Sequence, residues 1–317
     1  MAETPSRTGS PATLDTDLIV IGGGPAGCSA ARMAASVGMN SVLIEPDSLC
    51  RNLYRIPALN NVLGGFTSGP ELADSIAAEL KSTELCRLEL GRRATQLSAG
   101  DDHVTITLDT GARLTAPYAI VATGVGPLQP RDASWITVPS DLTLPPLWQA
   151  DAYDAEGRTL LVLGGDRTIG TFLRAHPTTS TRLLVAYPAS DDYKIEEICD
   201  DPRVALCPVQ HVNLQLADDV ATAETVDRSG KRQTVAADTV FLSIGNAPTA
   251  PSGDIVRDAT GYCLPSAQHP RVTVAGDLRS ARFQRIMTAL GSGSEAALRA
   301  YYAAKRLLET DTNRTRS

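Results

Sequence analysis

The sequence predicts an α/β fold built from two Rossmann-like units. Two observations predict it. A plan of buried strand, glycine-rich turn, helix and second strand occurs twice, once over 17–45 and again over 159–187. The chain also has 317 residues, 43% of them hydrophobic, which is enough to fill two cores.

Taken in order, residues 17–21 (DLIVI) form a continuous apolar, β-branched run, the pattern of a strand buried on both faces of a parallel sheet. GGGPAG follows, then the helical stretch CSAARMAASVGM, then NSVLIE as a second buried strand. A helix is expected over 70–81, with Pro70 suited to its first turn. Residues 86–118 alternate as short strands, and GPLQPRDASWITVPSDLTLPPL then breaks the pattern as a crossing between domains. The strand TLLVL at 159–163, the turn GGDRTIG, a short helix ending near His176 and the strand RLLVAYP repeat the opening plan. Strands resume at DTVFLSIG, and the chain closes with RVTVAGD and an amphipathic helix over GSEAALRAYYAAKRLLE. Residues 1–14 and 311–317 are polar and read as disordered tails.

Composition excludes several classes. The formal charge is −7 with scattered Lys and Arg, so no basic stripe exists to grip nucleic acid. No apolar run reaches the roughly 18 residues a membrane span needs, and the polar start has no signal-peptide core, so a cytoplasmic location is expected. Six cysteines are too dispersed for a CxxC motif, and no His, Asp and Glu cluster has metal-ligand spacing, so no metal is expected. Cys28 and Cys86 read as core thiols, and Cys199 and Cys207 flank a short turn where they could pair, with burial in the second domain the preferred reading.

The first turn carries chemistry. In Gly22-x-Gly24-Pro25-Ala26-Gly27, the first glycine allows the tight turn, the second lets a pyrophosphate approach the backbone, and the third lets helix and strand pack closely. Glu45 ends the next strand, at the right distance to accept hydrogen bonds from ribose hydroxyls. Strand, turn, helix and acid together point to dinucleotide binding.

Two later segments, Val121-Ala122-Thr123-Gly124 and Val274-Ala275-Gly276-Asp277, each end a strand. With the GGGPAG turn and Glu45, they resemble the low-molecular-weight thioredoxin reductase family of FAD/NAD(P) pyridine nucleotide-disulfide oxidoreductases, over about residues 16–310. The resemblance implies two three-layer (ββα/βαβ) nucleotide-binding domains, the second inserted into the first. An FAD-binding domain would span 15–126 and 246–310, an NAD(P)-binding-like domain 127–245, and the protein would be a homodimer. Asp277 would then bond the ribityl chain of FAD, Thr123 and Gly124 would line the crossover, and Arg285, Ile286 and Met287 would present backbone N–H groups to the flavin O2 edge. Asn52 would fall beside the ring, where the family places a Gln, and Asn61 in the stretch preceding the helix near the flavin.

Two departures from that family bear on function. Where its redox CxxC belongs, this chain reads Leu147-Trp148-Gln149-Ala150. The second fingerprint reads Gly164-Gly165-Asp166-Arg167, so a carboxylate stands where a phosphate would approach, with Arg167 a partial offset. The arginine cluster for an NADP phosphate is replaced by Ala186-Tyr187-Pro188, so NADPH use is expected to be lost and NADH use weakened. Cys50 is the candidate catalytic thiol near the flavin, with Cys263 a second thiol that could reach the same region. Trp148 and Tyr187 are candidates to stack on a planar ligand such as a second FAD, as in the diflavin-linked relatives. Three readings follow. The first is a flavoenzyme serving a small-molecule or protein partner other than NADPH, through a dithiol, a second flavin or a redox protein. The second is an NAD(P)H-dependent flavin reductase of the ferredoxin–NADP reductase kind. The third is a flavin-binding sensor.

Overall fold

The computed structural model describes residues 15–140, 142–217 and 220–307. The expected tails, 1–14 and 311–317, lie outside the described residues. The chain divides into two compact units, one holding residues up to Val125 and those from Pro248 onward, the other Gly126–Ala247.

The first unit begins with β1 (Leu18–Ile21), α1 (Pro25–Ser36), β2 (Ser41–Glu45), α2 (Gly69–Lys81), β3 (Cys86–Leu90), β4 (Ala94–Ala99), β5 (Val104–Leu108), β6 (Arg113–Ala116) and β7 (Tyr118–Val121). The chain leaves through β8 (Val125–Pro127). It builds β9 (Ile136–Thr137), α3 (Ala152–Ala155), β10 (Thr159–Leu163), α4 (Thr168–Ala175), β11 (Arg182–Tyr187), β12 (Val204–Ala217), β13 (Val220–Asp227), β14 (Arg232–Ala237) and β15 (Thr239–Leu242). It returns through β16 (Asn246–Pro248) and ends with β17 (Ser252–Gly253), β18 (Val272–Val274) and α5 (Ile286–Ala304).

In the first unit a parallel sheet runs in the order β18-β7-β1-β2-β3 and a second sheet in the order β17-β4-β5-β6. Alternation along the strands explains the layering. Leu18, Val20 and Leu43 pack with α1, α2 and α5, while Ile19, Ile21, Val42 and Ile44 pack with Leu97, Val104 and Ile106 of the second sheet. Both faces of β1 and β2 are therefore covered, which is why they read as unbroken apolar runs. The last helix starts at Ile286, seven residues before the expected amphipathic stretch at Gly293. Gly293 belongs inside it, because a Cβ there would sit 1.9 Å from the carbonyl oxygen of Ala26, so only glycine lets α5 lie against α1.

In the second unit the sheet order is β14-β13-β12-β11-β10-β15. The first part of β12 pairs parallel with β11, and from Val209 on it pairs antiparallel with β13. Leu160, Val162 and Val185 pack on one face with Ile169 and Phe172 of α4, and Leu161 and Leu163 pack on the other with Val212 and Leu214. Among the described residues no helix is long and apolar enough to cross a membrane.

Candidate functional site

The ends of β1, β2, β7 and β18 converge on a cavity of about 850 Å³ within the first unit. Parallel strands put their carboxyl ends on one edge, the place where ligands bind in open α/β sheets. Gly22 makes the turn at φ 105°, and a Cβ there would lie 2.5 Å from the carbonyl oxygen of Ala122. A Cβ on Gly27 would lie 1.8 Å from the carbonyl oxygen of Gly22. Gly24 differs, since nothing lies within 4 Å of where its Cβ would point, on the cavity side of the turn.

Helix α1 begins at Pro25 with Gly24 as its N-cap, no side-chain cap and no acidic residue in its first turn. Its leading N–H groups and positive dipole end are thus left for an anionic ligand. The carboxylate of Glu45 accepts the N–H of Gly23 at 2.6 Å and that of Asp47 at 3.0 Å, which fixes its position at the cavity wall. Across the cavity, burial pushes the Asp277 carboxyl above the usual aspartate range, and Arg285 draws it part of the way back. Among the described residues nothing donates a hydrogen bond to that carboxyl, so ligand hydroxyls would find an acceptor there. Thr123 and Gly124 are held by Thr249, whose hydroxyl donates to the Thr123 carbonyl at 3.1 Å.

Gly22, Gly24, Pro25, Ala26, Glu45, Asn52, Asn61, Thr123, Gly124, Gly276, Asp277, Arg285 and Ile286 all line this one cavity. Gly27 stands behind it as a packing residue, and the side chain of Met287 turns outward, 37% exposed. Residues not anticipated from sequence also line it, chief among them Gly23, Arg51, Arg93 and Gln284. Gln284 donates to the backbone carbonyls of Asp277 and Ser280 and so ties the two ends of the loop that carries Asp277.

The expectation for Cys50 is corrected. Its side chain is 1% exposed, packed in the helix-side core, and no cysteine lines the cavity among the described residues. Cys263 cannot join it, because Cys263 packs on the opposite face of the parallel sheet. Cys199, expected buried, is exposed, and Cys207 is half-buried on β12. The described residues contain no group of His, Cys, Asp and Glu that could hold a metal.

The second glycine turn copies the first in backbone and reverses it in chemistry. Gly164 sits at φ 97°, and a Cβ there would lie 2.3 Å from the carbonyl oxygen of Ser243, as Gly22 does against Ala122. A carboxylate from beyond the next strand binds this turn as Glu45 binds Gly23, but the charge on the turn itself differs. The Asp191 carboxylate accepts the Gly165 N–H at 3.0 Å and holds Lys194 Nζ at 3.0 Å, while Asp166 lies 3.6 Å from the same ammonium. Burial pulls the Lys194 pKa down, but the two carboxylates outweigh it and leave it above the ordinary lysine value. A Cβ on Gly165 would meet Ile195 at 2.8 Å. Asp166, expected to repel phosphates, is thus paired within the protein. Arg167 is the N-cap residue of α4. Tyr187, expected to face a planar ligand, is instead buried in the core beside Val185 and Ile198, and Trp148 is half-buried in the turn Leu147–Gln149. Asp191→Ala is expected to leave the Gly165 N–H without a partner and Lys194 with Asp166 alone, at a cost of about 1–3 kcal/mol, read as a lower midpoint in urea unfolding.

The pyridine nucleotide-disulphide oxidoreductase family profile matches residues 16–165. An alkyl hydroperoxide reductase subunit of Staphylococcus aureus is 23% identical over 315 residues, covering 90% of this chain and 58% of that protein. An NADH dehydrogenase of Ferdinandcohnia aciditolerans is 25% identical over 309 residues, covering 90% and 57%. The chain therefore spans less than two thirds of the length of these relatives. Among solved structures, thioredoxin reductase of Lactococcus lactis superposes with a TM-score of 0.73 at 19% identity, covering 93% of this chain and all of that one. Bacillithiol disulfide reductase of S. aureus superposes with a TM-score of 0.65 at 15% identity, covering 92% of this chain. Residues 16–165 are thus similar to the pyridine nucleotide-disulphide oxidoreductases, and the fold of the chain is that of the thioredoxin reductases, with two Rossmann-like domains.

Proposed function

We propose that the protein is an FAD-dependent oxidoreductase whose flavin exchanges electrons directly with a partner other than NADPH. The contrast between its two glycine turns carries this reading: the first opens on a cavity of about 850 Å³, whereas the second carries Asp166, held by Lys194, where a phosphate would approach. In the first unit, Glu45 would hold the adenosine ribose, the uncapped start of α1 the pyrophosphate, and Asp277 the ribityl hydroxyls. Arg285 and the N-terminus of α5 would face the flavin O2 edge, with Asn52 and Asn61 beside the ring. Bound FAD would supply electron transfer through its isoalloxazine ring. A positive helix end at that edge favours the reduced, anionic form.

The absence of a cysteine in the lining supports direct transfer, since no internal thiol is placed to relay electrons. A small molecule, a flavin or a redox protein of alkyl hydroperoxide reductase or disulfide reductase chemistry would then meet the flavin itself. The second unit serves as a scaffold descended from a nicotinamide domain. A second reading, an NADH-dependent reductase, is favoured by the Asp191 carboxylate following β11, where an NAD ribose is bonded in such folds, and by the NADH dehydrogenase relative.

Purified protein is expected to be yellow and to stay oxidised when mixed anaerobically with excess NADPH, while dithionite bleaches it. Rapid bleaching by NADPH overturns the proposal, and rapid bleaching by NADH alone selects the second reading. A colourless protein that takes up no added FAD rejects both.

A further inference from the structure

Two buried nucleophiles that the proposed chemistry leaves unused lie directly behind the first glycine turn. Cys28 on α1 and Cys50, which caps the short turn Arg51–Arg55, are 0% and 1% exposed, and their Sγ atoms are 3.8 Å apart. Both grip the same peptide. The thiol of Cys28 donates to the Gly23 carbonyl at 3.2 Å, and the N–H of Cys50 donates to that carbonyl at 2.8 Å. The N–H of Gly23 in turn donates to Glu45. Cys50 adopts φ 54°, a left-handed conformation unusual for a residue with a side chain, so the surrounding contacts hold it there. Its carbonyl accepts the N–H of Leu53, and Gly23 and Leu53 both line the cavity. Cys50 is therefore one residue behind the cavity wall.

We propose that Cys28 and Cys50 form an oxidisable dithiol whose conversion to a disulfide by hydrogen peroxide weakens the hold of the first turn on FAD. The contact with Cys50 and burial push the Cys28 thiol well above the ordinary cysteine range, so Cys28 keeps its proton for the Gly23 carbonyl and the first attack falls to Cys50. The Cys50 sulfur takes one oxygen as the O–O bond of peroxide breaks, and one water leaves. The Cys28 sulfur then attacks the Cys50 sulfur, the S–O bond breaks, and a second water leaves. Two thiols have lost two electrons and two protons, and peroxide has become two waters. Closing the sulfurs from 3.8 Å to a bond of about 2.05 Å moves at least one of them. The product also has no S–H, so the Cys28 bond to Gly23 is lost whichever sulfur moves.

The FAD consequence rests on the FAD reading above, whereas the cross-link itself does not. The test exposes the full-length protein, FAD-loaded and FAD-stripped, to hydrogen peroxide. Remaining thiols are alkylated and peptides are mapped without reduction, and FAD affinity is measured by flavin fluorescence. A Cys28–Cys50 peptide is expected, formed faster in the stripped protein because bound FAD closes the wall, and reversed by dithiothreitol. The FAD dissociation constant is expected to rise about threefold or more, the effect of losing one hydrogen bond. Cys50→Ser and Cys28→Ser are each expected to keep their FAD affinity through the same exposure. Absence of the cross-link, a cross-link that leaves wild-type FAD affinity unchanged, or equal FAD loss in the serine variants overturns the proposal. Protein that never binds FAD but still forms the cross-link removes the FAD reading and leaves the dithiol standing.

Discussion

Gly27→Ala is expected to yield protein that folds poorly and carries less than about a tenth of the wild-type FAD, whereas Gly24→Ala is expected to fold normally and lose FAD alone. The difference follows from what each new Cβ would meet. At Gly27 it would lie 1.8 Å from the Gly22 carbonyl oxygen, a backbone atom that cannot step aside without moving the turn and β1 with it. Overpacking of this kind costs about 1–3 kcal/mol or more, against a total stability of about 5–15 kcal/mol. At Gly24 the backbone is extended, φ −74° and ψ −178°, which alanine adopts without strain, and no protein atom lies within 4 Å. The methyl group would instead occupy space that a pyrophosphate needs. Unfolding in urea followed by absorbance, with flavin content measured on the same samples, separates the two. Equal FAD retention in Gly24→Ala and wild type would show that no phosphate approaches there.

The first site was legible because its demands are local. Turn, close packing and acid all fall between Gly22 and Glu45, and each needs a residue type that few other tasks select. The resemblance extended this to Thr123, Gly124 and the Asp277 loop. What stayed hidden depends on distant contacts. Asp166 was readable as hostile to phosphate, but its answer, Lys194 held by Asp191, comes from a segment after the next strand with no pattern of its own. Cys50 was placed by linear position, and neither its burial nor its contact with Cys28 follows from a sequence in which the two stand 22 residues apart. Cys263 was paired with the wrong face, since a thiol shortly before β18 can belong to either side of a covered sheet. The strands β12–β14 were missed although their signal exists: Val212 and Leu214 are buried in alternation with polar neighbours, but one face is too polar to form an apolar run. In the last helix, Gly291 and Gly293 masked an earlier start.

Asp277→Asn is expected to raise the thermal stability of the FAD-free protein while weakening FAD binding roughly tenfold or more. The two effects share a cause. Burial, only partly offset by Arg285, raises the pKa of the folded carboxyl above its unfolded value. The folded state then binds the proton more tightly than the unfolded one, so stability falls as pH rises from the ordinary aspartate range through the raised value. Below that range both states are protonated and the variant gains nothing. Above it the wild-type apoprotein holds a buried charge that asparagine removes, so the gap in melting temperature between variant and wild type should open with rising pH and then level off. FAD reverses the balance, because hydroxyls donating to a carboxylate form charge-assisted bonds worth about 1.5–3 kcal/mol, of which a neutral amide recovers only a part. The measurement is a set of melting curves from acid to neutral pH, with and without FAD. A variant that melts lower than wild type in the absence of FAD would show that the Asp277 carboxylate is not under desolvation strain, and one that binds FAD as tightly as wild type would show that it is not a ligand for the cofactor.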